Sequence, residues 1–385
     1  MAKSGSVQRR VIILFTTFLV VGIIGYFVSL IARGYRFDID KFRFFPNGIL
    51  VAKSDPDGAS IYVNGDLKTA TNTNIKLSPN SYNIEVKKEG YITWKKRLTI
   101  NKEEVTQITA QLFKTAPSLS PITFDGAENP VVSNDFDKIA YTNNRELWVM
   151  SVSSLPIGFP NSPKKIADGI TENSIYRFSP DGQELLLETD LGAYLLSTNE
   201  FTSQAQRINI VNKRAETLKT WGLEKQKKEE AELKNLPPEI IDLLKRRTKT
   251  FFFSPDGTMV MYQALEDSIV EGDLIPKLPG SSTQKEDRDI KIGKKYVYDI
   301  KEDRNYYTGE ENSSLYWMPT SRHLIESLDG KIVIMDYDGT NRQTVFSGNY
   351  IAPHAYPYIN ASKLLILTNL GSDSQTPNLY SLSIK

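Results

Sequence analysis

The hydrophobic pattern of the chain changes character three times. Residues 11–31 run 21 positions without a charge, bracketed by Arg9-Arg10 and Arg33. At about 1.5 Å per residue such a helix crosses a hydrocarbon core of about 30 Å. From Gly48 onwards apolar and polar positions alternate in short runs. Residues 49–52, 60–63, 81–86, 93–100 and 105–112 read as strands, and Asn64-Gly65 after the second is a two-residue hairpin signal. Beyond residue 118 the runs are punctuated by a repeated turn, Phe178-Ser-Pro-Asp-Gly182 and Phe253-Ser-Pro-Asp-Gly257. Pro presets φ, Asp accepts a backbone N–H two residues on, and Gly takes the positive φ that closes the hairpin.

Worn copies of the turn fall at Asp135, Thr320 and Asn360, so the five positions are 46, 75, 64 and 40 residues apart. A repeat of about 40–50 residues built from short strands is the spacing of propeller blades. Apolar runs at 146–152, 193–197, 296–300, 331–336 and 378–384 take the third-strand place in each repeat. The pattern predicts a mainly β protein: an N-terminal transmembrane helix, a small β-sandwich, then a β-propeller of five or six four-strand blades with a helical insertion. The last repeat ends on its third strand, so residues 118–124 are expected to supply the missing outer strand and leave no open edge.

The expected divisions are a cytoplasmic tail at 1–10, the anchor at 11–31 and an aromatic juxtamembrane connector at 34–47. The sandwich follows at 48–113, a linker at 114–121 and the propeller over 118–385. A cleaved leader is disfavoured, because the apolar run is too long and Leu30 spoils a small-x-small site ending at Ala32. Positive charges nearly balance across the helix: Lys3, Arg9 and Arg10 before it, Arg33, Arg36, Lys41 and Arg43 after it. Long C-terminal domains translocate with little regard to charge, so the N-terminus is expected in the cytoplasm and the bulk of the chain outside.

Composition removes several function classes. A net charge of +1 is no nucleic-acid footprint. Zero cysteine and two histidines, His323 and His354, exclude disulfides, thiolate metal sites and a histidine-rich centre. No Gly-x-Ser-x-Gly elbow and no Gly-rich phosphate loop is present, so neither catalytic residues nor a cofactor is assigned. Asp336, Asp338 and Asn341 share a turn but lack the further ligands of a calcium loop, and no metal site is assigned. Acids drawn from separate blades leave no local motif, so an enzyme acting on carbohydrate or peptide in the propeller channel stays as the alternative.

Two families are resembled. Ser54-Asp-Pro-Asp-Gly-Ala59, Ile61-Tyr-Val-Asn-Gly65, Leu77-Ser-Pro79, Tyr82 to Val86 and Gly90-Tyr91 resemble the PEGA domain, a β-sandwich module of surface proteins. The chain departs from it at Asp57, where Glu stands in the family name, and at Asn80, where Gly is usual. The Ser-Pro-Asp-Gly turns, with Asp336-Tyr-Asp-Gly-Thr-Asn341, resemble TolB-like propellers of the WD type over 118–385. These resemblances imply envelope association and binding, and no particular reaction.

Two connections exceed what a meander needs. Residues 212–249 hold 11 basic and 7 acidic residues and read as two helices, the second opened by Pro237-Pro238. Residues 265–294 hold Pro276, Pro279 and Gly280-Ser-Ser282 and read as an irregular mobile loop. Both are expected on the face opposite the Ser-Pro-Asp-Gly turns, as additions that bury little core and are dispensable for folding. That face is the expected partner site, with Trp221, Lys225, Lys227, Lys228, Arg246 and Arg247 as its candidate contacts. The basic excess favours an acidic envelope protein or an anionic polysaccharide, and carbohydrate binding belongs to the same expectation.

Overall fold

The computed structural model describes residues 4–33, 35–38, 42–152, 162–372 and 376–385. Lys3, Gly34 and Lys41, used in the charge and connector readings above, lie outside them. Helix α1 (Ser4–Ala32) is long and apolar enough over Ile12–Ala32 to cross a membrane, and none of that stretch is buried. The chain then divides into two compact units.

The first unit holds Met1–Glu89, Thr93–Leu112 and Lys277–Gln284. Strands β1 (Arg36–Asp38) and β2 (Arg43–Phe45) form an antiparallel pair after the helix. Then come β3 (Gly48–Asp55), β4 (Ser60–Val63), β5 (Asp66–Ala70), β6 (Thr73–Leu77), β7 (Asn80–Lys87), β8 (Trp94–Ile100) and β9 (Val105–Gln111). One sheet runs β6-β3-β9 and the other β5-β4-β7-β8. Strand β3 shows why this is a two-layer unit: Leu50, Ala52 and Ser54 are buried while Lys53 and Asp55 are exposed, the period of a strand with one inner face. Leu50 and Ala52 are buried, as are Ile61, Val63, Ile84, Val86, Leu98 and Ile100 of the other sheet. Asn64 and Gly65 both take positive φ, 52° and 90°, and make the hairpin turn between β4 and β5.

The second unit holds Gly90–Ile92, Phe113–Pro276 and Lys285–Lys385. After β10 (Ser118–Pro121), blade 1 is β11 (Glu128–Val132), β12 (Lys138–Asn143), β13 (Glu146–Ser151) and β14 (Lys164–Ala167). Blade 2 is β15 (Ile175–Phe178), β16 (Glu184–Thr189) and β17 (Gly192–Ser197). Helices α2 (Arg214–Leu233) and α3 (Pro238–Arg246) follow. Blade 3 is β18 (Thr248–Phe253), β19 (Met259–Ala264), β22 (Lys295–Asp299) and β23 (Arg304–Gly309), with the short pair β20 (Ser268–Ile269) and β21 (Asp289–Ile290) inserted at its middle turn. Blade 4 is β24 (Ser314–Trp317), β25 (His323–Leu328), β26 (Lys331–Asp336) and β27 (Gln343–Ser347). The last sheet runs β28 (Ala355–Pro357), β29 (Lys363–Thr368), β30 (Asn378–Ser383), then β10.

The fold class read from the pattern is the one observed, with one correction of detail. Blade 2 has three strands in its ladder, not four. After β17 the chain runs irregularly: Thr202 makes an isolated parallel bridge to Ala167 of blade 1, and the Ile210 N–H returns to the Ala193 carbonyl at 2.7 Å.

The repeated turn is a repeated hydrogen-bond unit. Ser133, Ser179 and Ser254 each donate Oγ–H to the Asp two residues on, at 2.5, 2.6 and 2.7 Å. Those aspartates accept the N–H of Asp137, Gln183 and Thr258. The serine oxygens in turn accept the N–H that opens the second strand, from Lys138, Glu184 and Met259. Asn360 does the same work in the last blade, accepting the Ser362 N–H at 3.0 Å. The hydrogen bonds from Ser179 and from the Gln183 N–H hold the Asp181 carboxyl below its usual range.

Each of these turns joins a first strand to a second, so all lie at one end of the strands. Strand β10 pairs antiparallel with β30, Ser118 opposite Ser383 through Pro121 opposite Tyr380, which is the closure expected from the chain's last strand.

Replacing Leu119 and Ser120 together by proline tests that closure. Alternate residues of an antiparallel strand face the partner, so one of the two must remove a ladder bond. Four cross-strand pairs at roughly 0.2–1 kcal/mol each predict a loss of roughly 1–4 kcal/mol, or roughly 2–4 °C of melting temperature per kcal/mol. A melting temperature equal to the parent's would remove β10 from the closure.

Candidate partner-binding site

The first insertion is not peripheral. Pro238 sits at the first helical position of α3, where its missing N–H costs nothing. The helix then turns Ile240, Leu243 and Leu244 inward, and Leu233 and Leu236 from the end of α2 and the connection join them, all under 7% exposed. They form one buried cluster with Val260, Tyr262, Ala264, Tyr296 and Tyr298 of blade 3. Strand parity shows which face this is. Met259, Met261 and Val297 pack on Leu315, Trp317 and Leu324 of blade 4, so the helices cover blade 3's other face. Towards blade 2 the contact of α2 is polar: Arg214 bonds Glu188 at 2.6 Å, and Glu188 also pairs with Arg177 at 3.0 Å.

The second insertion is equally tied down. Val270 and Ile290 enter the same cluster. Asp303, 4% exposed, accepts from the Leu274 N–H at 2.7 Å, from the Tyr298 hydroxyl at 2.8 Å and from Arg288 at 3.4 Å. Asn305, wholly buried, accepts the Asp287 N–H at its backbone carbonyl, donates its side-chain amide to the Asp287 carbonyl at 2.6 Å and accepts from the Tyr262 hydroxyl at 2.8 Å. Its tip, Lys277–Gln284, belongs to the first unit, where Thr283 accepts the Thr99 N–H at 3.0 Å and Gln284 donates to the Arg97 carbonyl at 2.7 Å. The expectation that both insertions bury little core and can be dispensed with is therefore corrected. They carry buried aliphatic side chains and a buried polar network.

The six candidate contacts fall into two groups. Trp221 is half-buried on α2, and Lys225, Lys227 and Lys228 are exposed. Trp221, Lys225 and Lys228 share one helical stripe; Lys225 pairs with Glu229 at 3.7 Å. Arg246 and Arg247, at the end of α3, are matched by Asp242 at 3.0 Å and Glu266 at 3.7 Å, and Arg247 also donates to Ser268 at 2.6 Å. Among the described residues no hydrogen bond or ion pair joins the two groups. Helix α2 itself carries five basic and five acidic residues. The excess of four in the insertion therefore comes from its other residues, six basic against two acidic, and most of it clusters from Lys245 to Lys249.

Beside that cluster lies a cleft the sequence reading missed. It measures about 180 Å³ and lies between blades 3 and 4, lined among others by Thr250, Phe252, Gln263, Lys295, Ser313 and Tyr316. Gln263, Lys295 and Ser313 lie near the strand ends opposite the Ser-Pro-Asp-Gly turns, on the face from which the insertions leave, while Phe252 and Tyr316 lie further along their strands towards the turns. Phe252 stands 53% exposed, and Tyr316 is half-buried with its ring 5.8 Å from Tyr356. The Trp317 indole N–H donates to the Phe252 carbonyl at 3.1 Å, holding the two inner strands together. Lys295 donates its ammonium to the Ser313 carbonyl and forms no ion pair among the described residues. Burial lowers its pKa, offset in part by Glu326 and reinforced by Lys249. The sequence did hold a signal for this cleft. In Thr250-Phe-Phe-Phe253 a period of two sends Phe252 outward while Phe251 and Phe253 turn inward.

Residues 47–116 match the family described as PEGA domain, so the resemblance read from Ser54–Ala59 and Gly90-Tyr91 is borne out for the sandwich. No curated protein matches the chain. Similar solved structures include a putative TolB from Agrobacterium tumefaciens, at 14% identity and a TM-score of 0.24, covering 67% of this chain and 78% of that one. TolB from Acinetobacter baumannii gives 11% identity and a TM-score of 0.24 over 85% of this chain and 63% of that one. An acylaminoacyl peptidase from Pyrococcus horikoshii gives 12% and 0.23 over 69% and 39%. The blade assignment stands on the strand ladders given above.

Truncation separates core from surface on the helical insertion. Leu244→Ala, at a position 1% exposed, should cost about 2–5 kcal/mol in denaturant unfolding. Lys228→Ala should stay within about 0.5 kcal/mol. Equal, small effects at both positions would return the helices to the status of decoration.

Proposed function

We propose that this chain is a membrane-anchored scaffold of the cell envelope that binds an acidic protein segment at the cleft between blades 3 and 4. Lys295 carries the reading. It is a partly desolvated ammonium beside exposed Phe252, without a carboxylate partner among the described residues. A carboxylate arriving there gains a charge-assisted bond to a group already stripped of much of its water. The neighbouring basic residues Lys245 and Lys249, both exposed, add steering that salt screens.

Cleft size favours a protein ligand over an anionic polysaccharide. At about 180 Å³ the space is below the roughly 300–1,000 Å³ of small-molecule sites. It suits one or two side chains of a docked segment rather than a run of sugars. The same reading takes the chain as a binding protein rather than an enzyme. It takes α1 as an uncleaved anchor with its N-terminus in the cytoplasm, and the match to the PEGA domain supports an envelope setting.

Binding by full-length protein in detergent, with envelope extract as the source of partner, tests the cleft. Lys295→Met should weaken retention roughly tenfold or more, since removing one member of a buried charged pair costs roughly 2 kcal/mol or more. It should also flatten the salt dependence. The same affinity and salt dependence in the variant would place the site elsewhere.

Topology has its own test. Protease added to intact cells or spheroplasts should degrade residues 34–385. Protection of that portion, while a periplasmic control is cut, would overturn the orientation.

A further inference from the structure

The connector after the membrane helix folds back along it. The Arg33 N–H bonds the Ser29 carbonyl and the Tyr35 N–H bonds the Leu30 carbonyl, both at 3.0 Å, ending α1 in a tight turn. Tyr35 then donates its hydroxyl to Glu103 at 2.6 Å, which fixes the exit of the helix on the sandwich of the same unit. Strands β1 and β2 pair with Phe37 opposite Phe44. The Phe44 ring stacks on Phe27 of the helix, centroids 5.3 Å apart and planes at 28°. Phe37 lies 5.0 Å from Phe44, and Phe42 lies 5.9 Å from Phe37.

Depth gives this cluster its meaning. Phe27 lies five residues before Ala32, the end of the apolar stretch, so its ring sits about 7–8 Å inside that end. A strand pair stacked at that level is held at the depth where interfacial segments bury their apolar faces, about 5–10 Å. Phe42 is nevertheless 82% exposed and Phe37 42% exposed. Arg43 lies over the Phe45 ring at 5.3 Å, an arrangement in which a cationic head stays at the water boundary above an apolar body.

We propose that the β1–β2 pair is a second membrane contact, which inserts Phe37 and Phe42 into the outer interface of the bilayer beside α1. The proposal rests on the reading of α1 as a membrane anchor. The occupant of the exposed aromatic surface is lipid, because the cluster is continuous with the apolar stretch of the helix and stacked on a residue within it. Two points of insertion, joined through Tyr35 and Glu103, fix the height and tilt of the sandwich over the membrane more tightly than one helix could.

The cysteine-free chain permits a direct test on the full-length protein in vesicles of phosphatidylcholine and phosphatidylglycerol. A polarity-sensitive fluorophore is attached at Phe42→Cys, and separately at Phe37→Cys. The controls are Phe18→Cys in the middle of α1 and Leu67→Cys, 60% exposed on the sandwich. Blue-shifted emission at both hairpin positions, with quenching by lipid-borne nitroxides and protection from aqueous iodide, is the expected result. Aqueous behaviour at 37 and 42 with lipid quenching at 18 would overturn the proposal and leave the anchor standing. Shielding at 37 and 42 from both quenchers would also overturn it, in favour of a protein contact. Aqueous behaviour at 18 would remove the anchor reading and the hairpin's insertion with it.

Discussion

Most blades of the second unit have two apolar faces, and each such face must be covered. Alternation along the strands makes this unavoidable: in β19, Met259 and Met261 point one way while Val260, Tyr262 and Ala264 point the other, and all five are buried. Burying one such side chain stabilises by about 1.5–3 kcal/mol relative to leaving it in water. Neighbouring blades cover most faces. Blade 1 packs on blade 2, blade 3 on blade 4, blade 4 on the last sheet, and the last sheet on blade 1. The face of blade 3 turned away from blade 4 is covered by α2 and α3 instead. The helices and the closing strand β10 are thus answers to one requirement, since one covers an open face and the other an open edge.

How much of this was legible follows from the length and strength of each local signal. The turns were legible because their chemistry is local: Ser-Pro-Asp-Gly carries its own hydrogen bonds within five residues. Third strands such as Lys331–Asp336 were legible as uninterrupted apolar runs. Strands β5 and β6 were not, since Asp66–Ala70 is mostly exposed and Thr73–Leu77 has no fully buried residue to mark an inner face. The three-stranded blade 2 escaped because Ile208, Ile210 and Val211 keep the apolar spacing of a strand without joining the ladder, where the Ile210 N–H alone returns to Ala193 of β17. The sheet that α3 covers was not legible either. Ile240, Ile241, Leu243 and Leu244 announced an amphipathic helix, but nothing local says against which sheet its apolar side will lie.

The candidate contacts show the same limit from the other side. Exposed lysines on α2 are visible in sequence, yet five acids on the same helix cancel them. A desolvated lysine is different, because its value depends on what surrounds it in space. Lys295 opens β22 and meets Ser313 from the start of blade 4, 18 residues later. Phe252, the aromatic rim of that cleft, comes from a third segment. The site is a product of sheet packing, and no window of sequence contains it.

The contact between blade 2 and α2 has a dynamic consequence. Where the other junctions are sealed by buried aliphatic and aromatic clusters, Glu188 here bridges Arg177 and Arg214 with side chains that remain 20–45% exposed. Exposed ion pairs contribute roughly 0–1 kcal/mol and weaken with salt. A ring of strong joints with one weak joint does not loosen evenly. Its lowest-energy opening is a parting at that seam, with blades 1 and 2 moving as one body and α3 staying on blade 3. Amides of β17 and the start of α2 therefore exchange with solvent by a local event, while those of β19 and β29 wait for the ring as a whole to unfold.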